Sequence, residues 1–338
     1  ESYYNYKINK YNYLSLPKRY GKATYPKVRI VDLIEEREGS GKGDIVLSGP
    51  LLEKIESKLY KNEKILLIQN RRGHSPSVRC SDCGEMAMCL ACKTPLTYHN
   101  YDNNLKCHIC GYIEKESFDN CKECLSTKLI YMGTGTQKVE NILEKTFPKA
   151  RISRVDQDSV KKNSGIVKIL QSFFDGEIDI LIGTQMIAKG LDFPDITLVG
   201  IINADLGLHL PDFRSSERIF QLIYQAAGRS GRGEKEGEVI IQTYDSENPV
   251  IKAAAKLDLN EYYKNMLDDR FILKYPPYSW ITKIEFTGPR SKSVLALSNK
   301  IRHNLSSQFK GLEILGPAAC FKEKINNNYR FQLILKSL

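Results

Sequence analysis

The spacing of apolar positions changes period along the chain, and each change marks an element. Leu51, Leu52, Ile55 and Leu59 recur at helical spacing behind Ser48-Gly49-Pro50, with proline placed where a helix start tolerates it. A short apolar run at 65–69 predicts a buried strand. From residue 128 onward the two patterns alternate: strands at 128–132, 151–155, 178–182, 197–202 and 238–243, with helices carrying Val139, Ile142 and Leu143, at 166–174 and around 217–226. Such alternation implies an α/β domain, a mostly parallel sheet covered on both faces, with ligands at the carboxyl ends of its strands. The longest apolar run, 196–202, is a β-branched heptamer that reads as a buried strand and falls well short of the ~20 residues of a membrane helix.

A second, smaller α+β unit begins near Pro249. It offers an amphipathic helix to Leu267, a break at Pro276-Pro277, a strand at 281–287, a helix with Val294, Leu297, Ile301 and Leu305, and a hairpin ending in 331–335. It stops directly after a strand, so its last elements are expected to lie beyond Leu338. The chain opens on Glu1 without a methionine or an apolar core behind a basic start, so no secretion signal is expected. Its 338 residues suit two or three domains.

Charge adds a bias toward a polyanionic partner: 50 Lys and Arg against 40 Asp and Glu give +10. The excess is densest in the first thirty residues, where tyrosines 3, 4, 6, 11, 13, 20 and 25 are interleaved with Lys and Arg. Two readings stand here, a surface on which bases stack while cations hold phosphates, and, more plainly, an alternating strand whose rings cover a sheet.

Eight of the nine cysteines fall as four C-x-x-C pairs, 80/83, 89/92, 107/110 and 121/124. Two intervening residues let one tight turn aim both sulfurs at a single ion, so four pairs supply two tetrahedral four-cysteine zinc sites. Four half-sites combine in three ways. The nested pairing places Cys89, Cys92, Cys107 and Cys110 on one ion and Cys80, Cys83, Cys121 and Cys124 on the other, which brings the ends of an inserted module together. Gly84 and Gly111 follow two of the pairs, consistent with knuckles turning through positive φ. His99 and His108 read as loop residues and Cys320 as core.

Residues 221–232 read QLIYQAAGRSGR. Two glycines, each costing about 1 kcal/mol in a helix interior, would not be favoured by a purely structural helix. Beside Arg229 and Arg232 they let the backbone approach a ligand, and two guanidiniums three apart can meet a triphosphate. Upstream, two buried strands flank Gly183-Thr184-Gln185 and Lys189-Gly190-Leu191-Asp192, so polar groups lie in loops at strand ends. These stretches resemble motifs V and VI of superfamily 2 helicases, on the second RecA-like lobe, and NRRG at 70–73 resembles motif IV. With four C-x-x-C pairs directly after NRRG, then GTGTQKVENIL, RVDQD, PDFRSSERIFQL and a PPY tail, the whole chain resembles the PriA family of primosomal helicases.

That resemblance implies a RecA-like second helicase lobe with an inserted two-zinc, all-cysteine module and a C-terminal α+β domain. It divides the chain into a lead-in from a preceding first lobe (1–44), the lobe itself (45–79 and 125–247), the zinc module (80–124) and the C-terminal domain (248–338). The implied activity is that of an ATP-dependent 3′–5′ DNA helicase that recognises stalled or branched forks and initiates primosome assembly. Arg229 and Arg232 would then face the ATP γ-phosphate, with Gln225, Gly190 and Asp192 on the nucleotide side and Arg71, Arg72, Thr184 and Gln185 toward DNA. The implied cofactors are two Zn²⁺, with ATP and Mg²⁺ in the whole enzyme. The implied partners are fork DNA, single-stranded DNA, single-stranded-DNA-binding protein and primosome proteins, for a monomeric, cytoplasmic, nucleoid-associated bacterial protein with no membrane contact. The C-terminal domain would resemble a ribosomal small-subunit protein fold.

One departure limits the chain. GxxxxGK[ST] is absent, and Gly39-Ser40-Gly41-Lys42-Gly43 has Glu36 at the first glycine position and Gly43 at the hydroxyl position, so it reads as an exposed loop. No acidic box for Mg²⁺ is present either, so the chain by itself is expected to be inactive. A non-catalytic zinc-ribbon nucleic-acid-binding protein would explain the charge and cysteines but leaves QAAGRSGR without a role. Another superfamily 2 translocase would explain the lobe but not eight cysteines after NRRG.

Overall fold

A computed structural model describes residues 1–15, 24–40, 45–69, 77–90, 95–99, 104–107, 110–114, 120–132, 136–155, 166–184, 187, 195–208, 212–231 and 235–337. Its main sheet has six parallel strands in the order β1 (Lys27–Asp32), β11 (Glu238–Thr243), β10 (Ile196–Ile201), β2 (Lys64–Ile68), β9 (Ile180–Gly183), β8 (Ile152–Val155). Buried pairs such as Leu66↔Leu181 and Val199↔Leu66 set the register. Both faces are covered, which is why β2, β9 and β10 are apolar almost throughout. On one face Leu66, Ile68 and Val199 meet Ile219, Phe220 and Ile223 of α7 (Ser215–Ala227). On the other, Ile65, Leu67 and Leu198 meet Leu51 and Ile55 of α3 (Gly49–Tyr60) and Val139 and Leu143 of α4 (Thr136–Thr146).

The structure changes the reading of the chain's start. Lys27–Asp32 is an edge strand of the main sheet, paired in parallel with β11, so the lobe begins ahead of residue 45. The tyrosine-rich opening is neither an alternating strand nor an open face along its first turns: Ser2–Lys7 forms a short helix, α1, and Tyr3 stacks on Tyr263 with ring centroids 4.7 Å apart, while Tyr4 meets Tyr278 edge-on at 5.1 Å. Tyr20 lies outside the described residues. The glycine-rich stretch at 39–43 begins inside a helix, α2 (Leu33–Ser40), and continues outside the described residues.

The remaining elements form two smaller units. The cysteine-rich segment has a five-stranded antiparallel sheet ordered β6 (Ile113–Glu114), β5 (Asn104–Lys106), β4 (Thr97–His99), β3 (Ser77–Cys80), β7 (Leu129–Met132). The C-terminal unit has a three-stranded sheet, β12 (Trp280–Gly288), β14 (Asn328–Ser337), β13 (Glu313–Ile325), with α10 (Ser291–Gln308) against it. The helix expected to run to Leu267 is two helices, α8 (Pro249–Lys256) and α9 (Leu259–Ile272). Leu257 turns through φ 57° between them, and the Asp258 side chain accepts from the amides of Asn260 and Glu261 to start the second.

Candidate nucleotide face and zinc module

The arginine loop grows out of α7. That helix buries Ile219, Phe220, Leu222, Ile223, Ala226 and Ala227, and it stops at Gly228. Gly231 then adopts φ 75°, and a Cβ there would lie 3.1 Å from the Gly237 amide nitrogen and 3.2 Å from the Thr24 carbonyl. The Gly231 amide donates to the Ile196 carbonyl at 3.4 Å. Between the two arginines, Ser230 is fully buried and its hydroxyl donates to the carbonyls of Thr197 (3.3 Å) and Glu238 (3.4 Å). The loop is thereby fixed at the amino ends of β10 and β11, not at the carboxyl ends where a parallel sheet's ligands were expected. Thr184 is on the opposite edge, directly after β9. Arg229 and Gln225 are half-buried, and Gln225 Oε1 is buried without a hydrogen-bond partner among the described residues. Arg232, Gly190, Asp192, Gln185, Arg71 and Arg72 lie outside the described residues.

A charge cluster braces the same edge. Lys58, buried on α3, pairs with Glu63 at 3.2 Å and Glu238 at 3.1 Å, and Lys54 reaches Glu238 at 2.6 Å. Burial works against the Glu238 carboxylate, but the Lys54 and Lys58 hydrogen bonds outweigh it and hold the carboxyl below its ordinary range. Glu238 therefore ties α3 through its side chain and the arginine loop through its carbonyl.

In the cysteine module the sulfurs of Cys80, Cys83, Cys121 and Cys124 lie within 4.8 Å of one another, as do those of Cys89, Cys107 and Cys110; Cys92 is outside the described residues. Sulfur separations are 3.5 Å for Cys80 and Cys124, 3.6 Å for Cys83 and Cys121, and 3.6 Å for Cys89 and Cys110. These are too long for a disulfide near ~2.05 Å and close to the ~3.8 Å edge of a tetrahedron of thiolates ~2.3 Å from zinc. The protonation balance fits a cation as well. Burial opposes the Cys80 thiolate, yet the amides of Cys83 and Asp82 and the Cys124 thiol bring it down to about 7, whereas desolvation on the side facing the neighbouring sulfurs, and those sulfurs themselves, push the Cys83 thiol up. Four thiols this close cannot all ionise without a positive ion among them. Gly84 and Gly111 adopt φ of 79° and 82°, the left-handed turn that each knuckle needs.

Comparison with known proteins matches three family models: PriA DNA helicase Cys-rich region domain at 89–115, Helicase conserved C-terminal domain at 116–234, and Primosomal protein N C-terminal domain at 272–338. Replication restart protein PriA of Bacillus subtilis is 40% identical over 99% of this chain and 42% of its own length. That of Haemophilus influenzae is 37% identical over 99% of this chain and 45% of its own length. The chain belongs to the PriA family. It spans less than half the length of these PriA relatives. Among solved structures, RecG bound to a three-way DNA junction overlays on 73% of this chain and 22% of its own, at 12% identity and a TM-score of 0.37, too slight a likeness to carry weight.

What the sequence does not show is how the module is attached. Arg79, immediately before Cys80, is 2% exposed and sits 3.3 Å from Asp205, which is fully buried. Arg79 also donates to the Tyr244 carbonyl at 2.7 Å and lies 4.4 Å from the Tyr244 ring centroid. Asp205 accepts from the Thr243 hydroxyl and the Tyr244 amide. Asp82, between Cys80 and Cys83, accepts from Arg37 of α2 at 2.7 Å. Arg79 sits in a surface-like stretch of polar residues, so only its partner's burial distinguishes it. Asp205, in contrast, opens the short helix that follows the apolar strand β10, a position that marks an acidic residue for attention.

Proposed function

We propose that this chain is the second lobe, zinc module and C-terminal domain of an ATP-dependent 3′–5′ DNA helicase that recognises stalled or branched forks and initiates primosome assembly. The observation that carries the reading is the glycine-bent, serine-anchored arginine loop within a segment matching the helicase C-terminal family. On this reading Arg229 and Arg232 meet the γ-phosphate of ATP held with Mg²⁺ by a preceding lobe, and stabilise the charge that develops as the phosphoryl group transfers. Gln225, Gly190 and Asp192 complete the nucleotide side. Thr184, Gln185, Arg71 and Arg72 contact DNA, and Thr184's position on the opposite sheet edge from the arginine loop supports this division of labour. Two Zn²⁺ are held by Cys80, Cys83, Cys121 and Cys124 and by Cys89, Cys92, Cys107 and Cys110, where zinc supplies folding free energy and no chemistry. Single-stranded-DNA-binding protein and primosome proteins are the protein partners, in the bacterial cytoplasm.

Strand displacement by the intact protein on a forked duplex tests the reading. ATP-dependent unwinding is expected, and DNA binding without unwinding would favour a non-catalytic zinc-ribbon protein instead.

A further inference from the structure

The two cysteine clusters differ in what covers them. Cys83 and Cys124 are exposed, whereas Cys89 and Cys107 are buried and Cys110 is half-buried. Leu315 of β13 and Ile334 of β14 pack into the cluster that contains Cys89 and Cys107. Gly111, next to Cys110, lies so close to the C-terminal sheet that a Cβ would meet the Pro317 carbonyl at 3.0 Å, and Lys106 pairs with Glu323 at 3.8 Å. Solvent reaches the first cluster, and the C-terminal sheet caps the described part of the second.

They also grip different neighbours. The first cluster is framed by Asp82, bound to Arg37, and by Arg79, bound to Asp205 and Tyr244, all contacts to the lobe. The second is seated on the C-terminal domain. The module is thus a joint with two ends, one exposed at Cys83 and Cys124 and one whose described cysteines face the C-terminal sheet.

We propose that the Cys80, Cys83, Cys121 and Cys124 site is an electrophile-reactive zinc site, opened at Cys83 and Cys124, whose loss of zinc releases the module from the lobe while its other end stays on the C-terminal sheet. The proposal rests on the reading of both clusters as zinc sites. Thiolate modification is site-selective by exposure, which separates the two clusters here. A soft electrophile such as a maleimide reacts by conjugate addition: one carbon–sulfur bond forms as the carbon–carbon π bond opens, one zinc–sulfur bond breaks, and the adjacent carbon takes a proton from water, leaving hydroxide. Two additions leave only Cys80 and Cys121 as protein ligands, too few to hold the ion.

The test uses the zinc-loaded chain, N-ethylmaleimide and a chromogenic zinc indicator, with peptide mass mapping and hydrogen exchange at each stage. Metal analysis comes first, and a count other than two zinc per chain would overturn the zinc reading itself. With two present, one equivalent is expected to leave at least ~10-fold faster than the other, with Cys83 and Cys124 modified first. At that stage residues 77–86 should exchange faster while 313–320 remain protected. Simultaneous release, modification beginning at Cys89, Cys92, Cys107 or Cys110, or early loss of protection at 313–320 would overturn the proposal.

Discussion

Arg79 and Asp205 are both almost entirely out of water, and Thr243 and Tyr244 each donate one hydrogen bond to the carboxylate. Breaking such a pair leaves one buried charge uncompensated, at a cost of about 3–5 kcal/mol. Arg79→Met is therefore expected to lower the unfolding free energy measured in urea by an amount of that order, whereas Lys27→Ala, which removes an ion pair exposed on both sides, should leave it unchanged. Equal effects of the two substitutions would contradict the role given to Arg79. Asp179 offers a pH test. Burial opposes its carboxylate, but the Arg151 side chain and amide hold the carboxyl below its ordinary range. A depressed folded-state value means that the stabilisation is present at neutral pH and is lost as pH falls below about 4. Asp179→Asn should thus lower the urea midpoint at pH 7 and converge with wild type toward pH 3, and an offset independent of pH would exclude the carboxylate as its source.

At the scale of elements, structural zinc contributes about 10–16 kcal/mol of apparent binding free energy in small modules, far more than the module's small core can replace. Chelation is expected to abolish exchange protection across 77–132 while β2, β9 and β10 keep theirs, with two zinc released per chain. A disulfide-bonded module, or one that stays protected without metal, would contradict this. The parallel strands were legible because burial on both faces makes them plain apolar runs, and the cysteine spacing was legible because ligand geometry demands it. Lys27–Asp32 escaped because an edge strand needs few apolar residues and Lys27 and Arg29 merge with the basic stretch before them. The break between α8 and α9 escaped for a different reason: Leu257 turns through φ 57° without a glycine, so apolar spacing continues across it, although Asp258 was a readable cap. The arginine loop's residue types pointed to phosphate, but its edge of the sheet did not show in sequence. That edge follows from α7 running back along the strands, and strand order is not written in local spacing.

For the whole molecule, the proposed function divides one nucleotide site between this chain and a partner lobe. The isolated chain, lacking GxxxxGK[ST] and an acidic box, is expected to hydrolyse no ATP with or without DNA, and robust DNA-stimulated turnover by it would contradict that division. The most direct measurement is steady-state, DNA-stimulated ATP hydrolysis by the intact protein carrying Arg229→Ala, Arg232→Ala or the corresponding lysine substitutions. An arginine on the developing phosphoryl charge is worth on the order of 10³ or more in turnover, and an ammonium does not reproduce the guanidinium fork. The account predicts turnover reduced by about that factor in the alanine variants and incompletely restored by lysine, with DNA affinity and thermal midpoint nearly unchanged. Turnover within a few-fold of wild type in all four variants would contradict it.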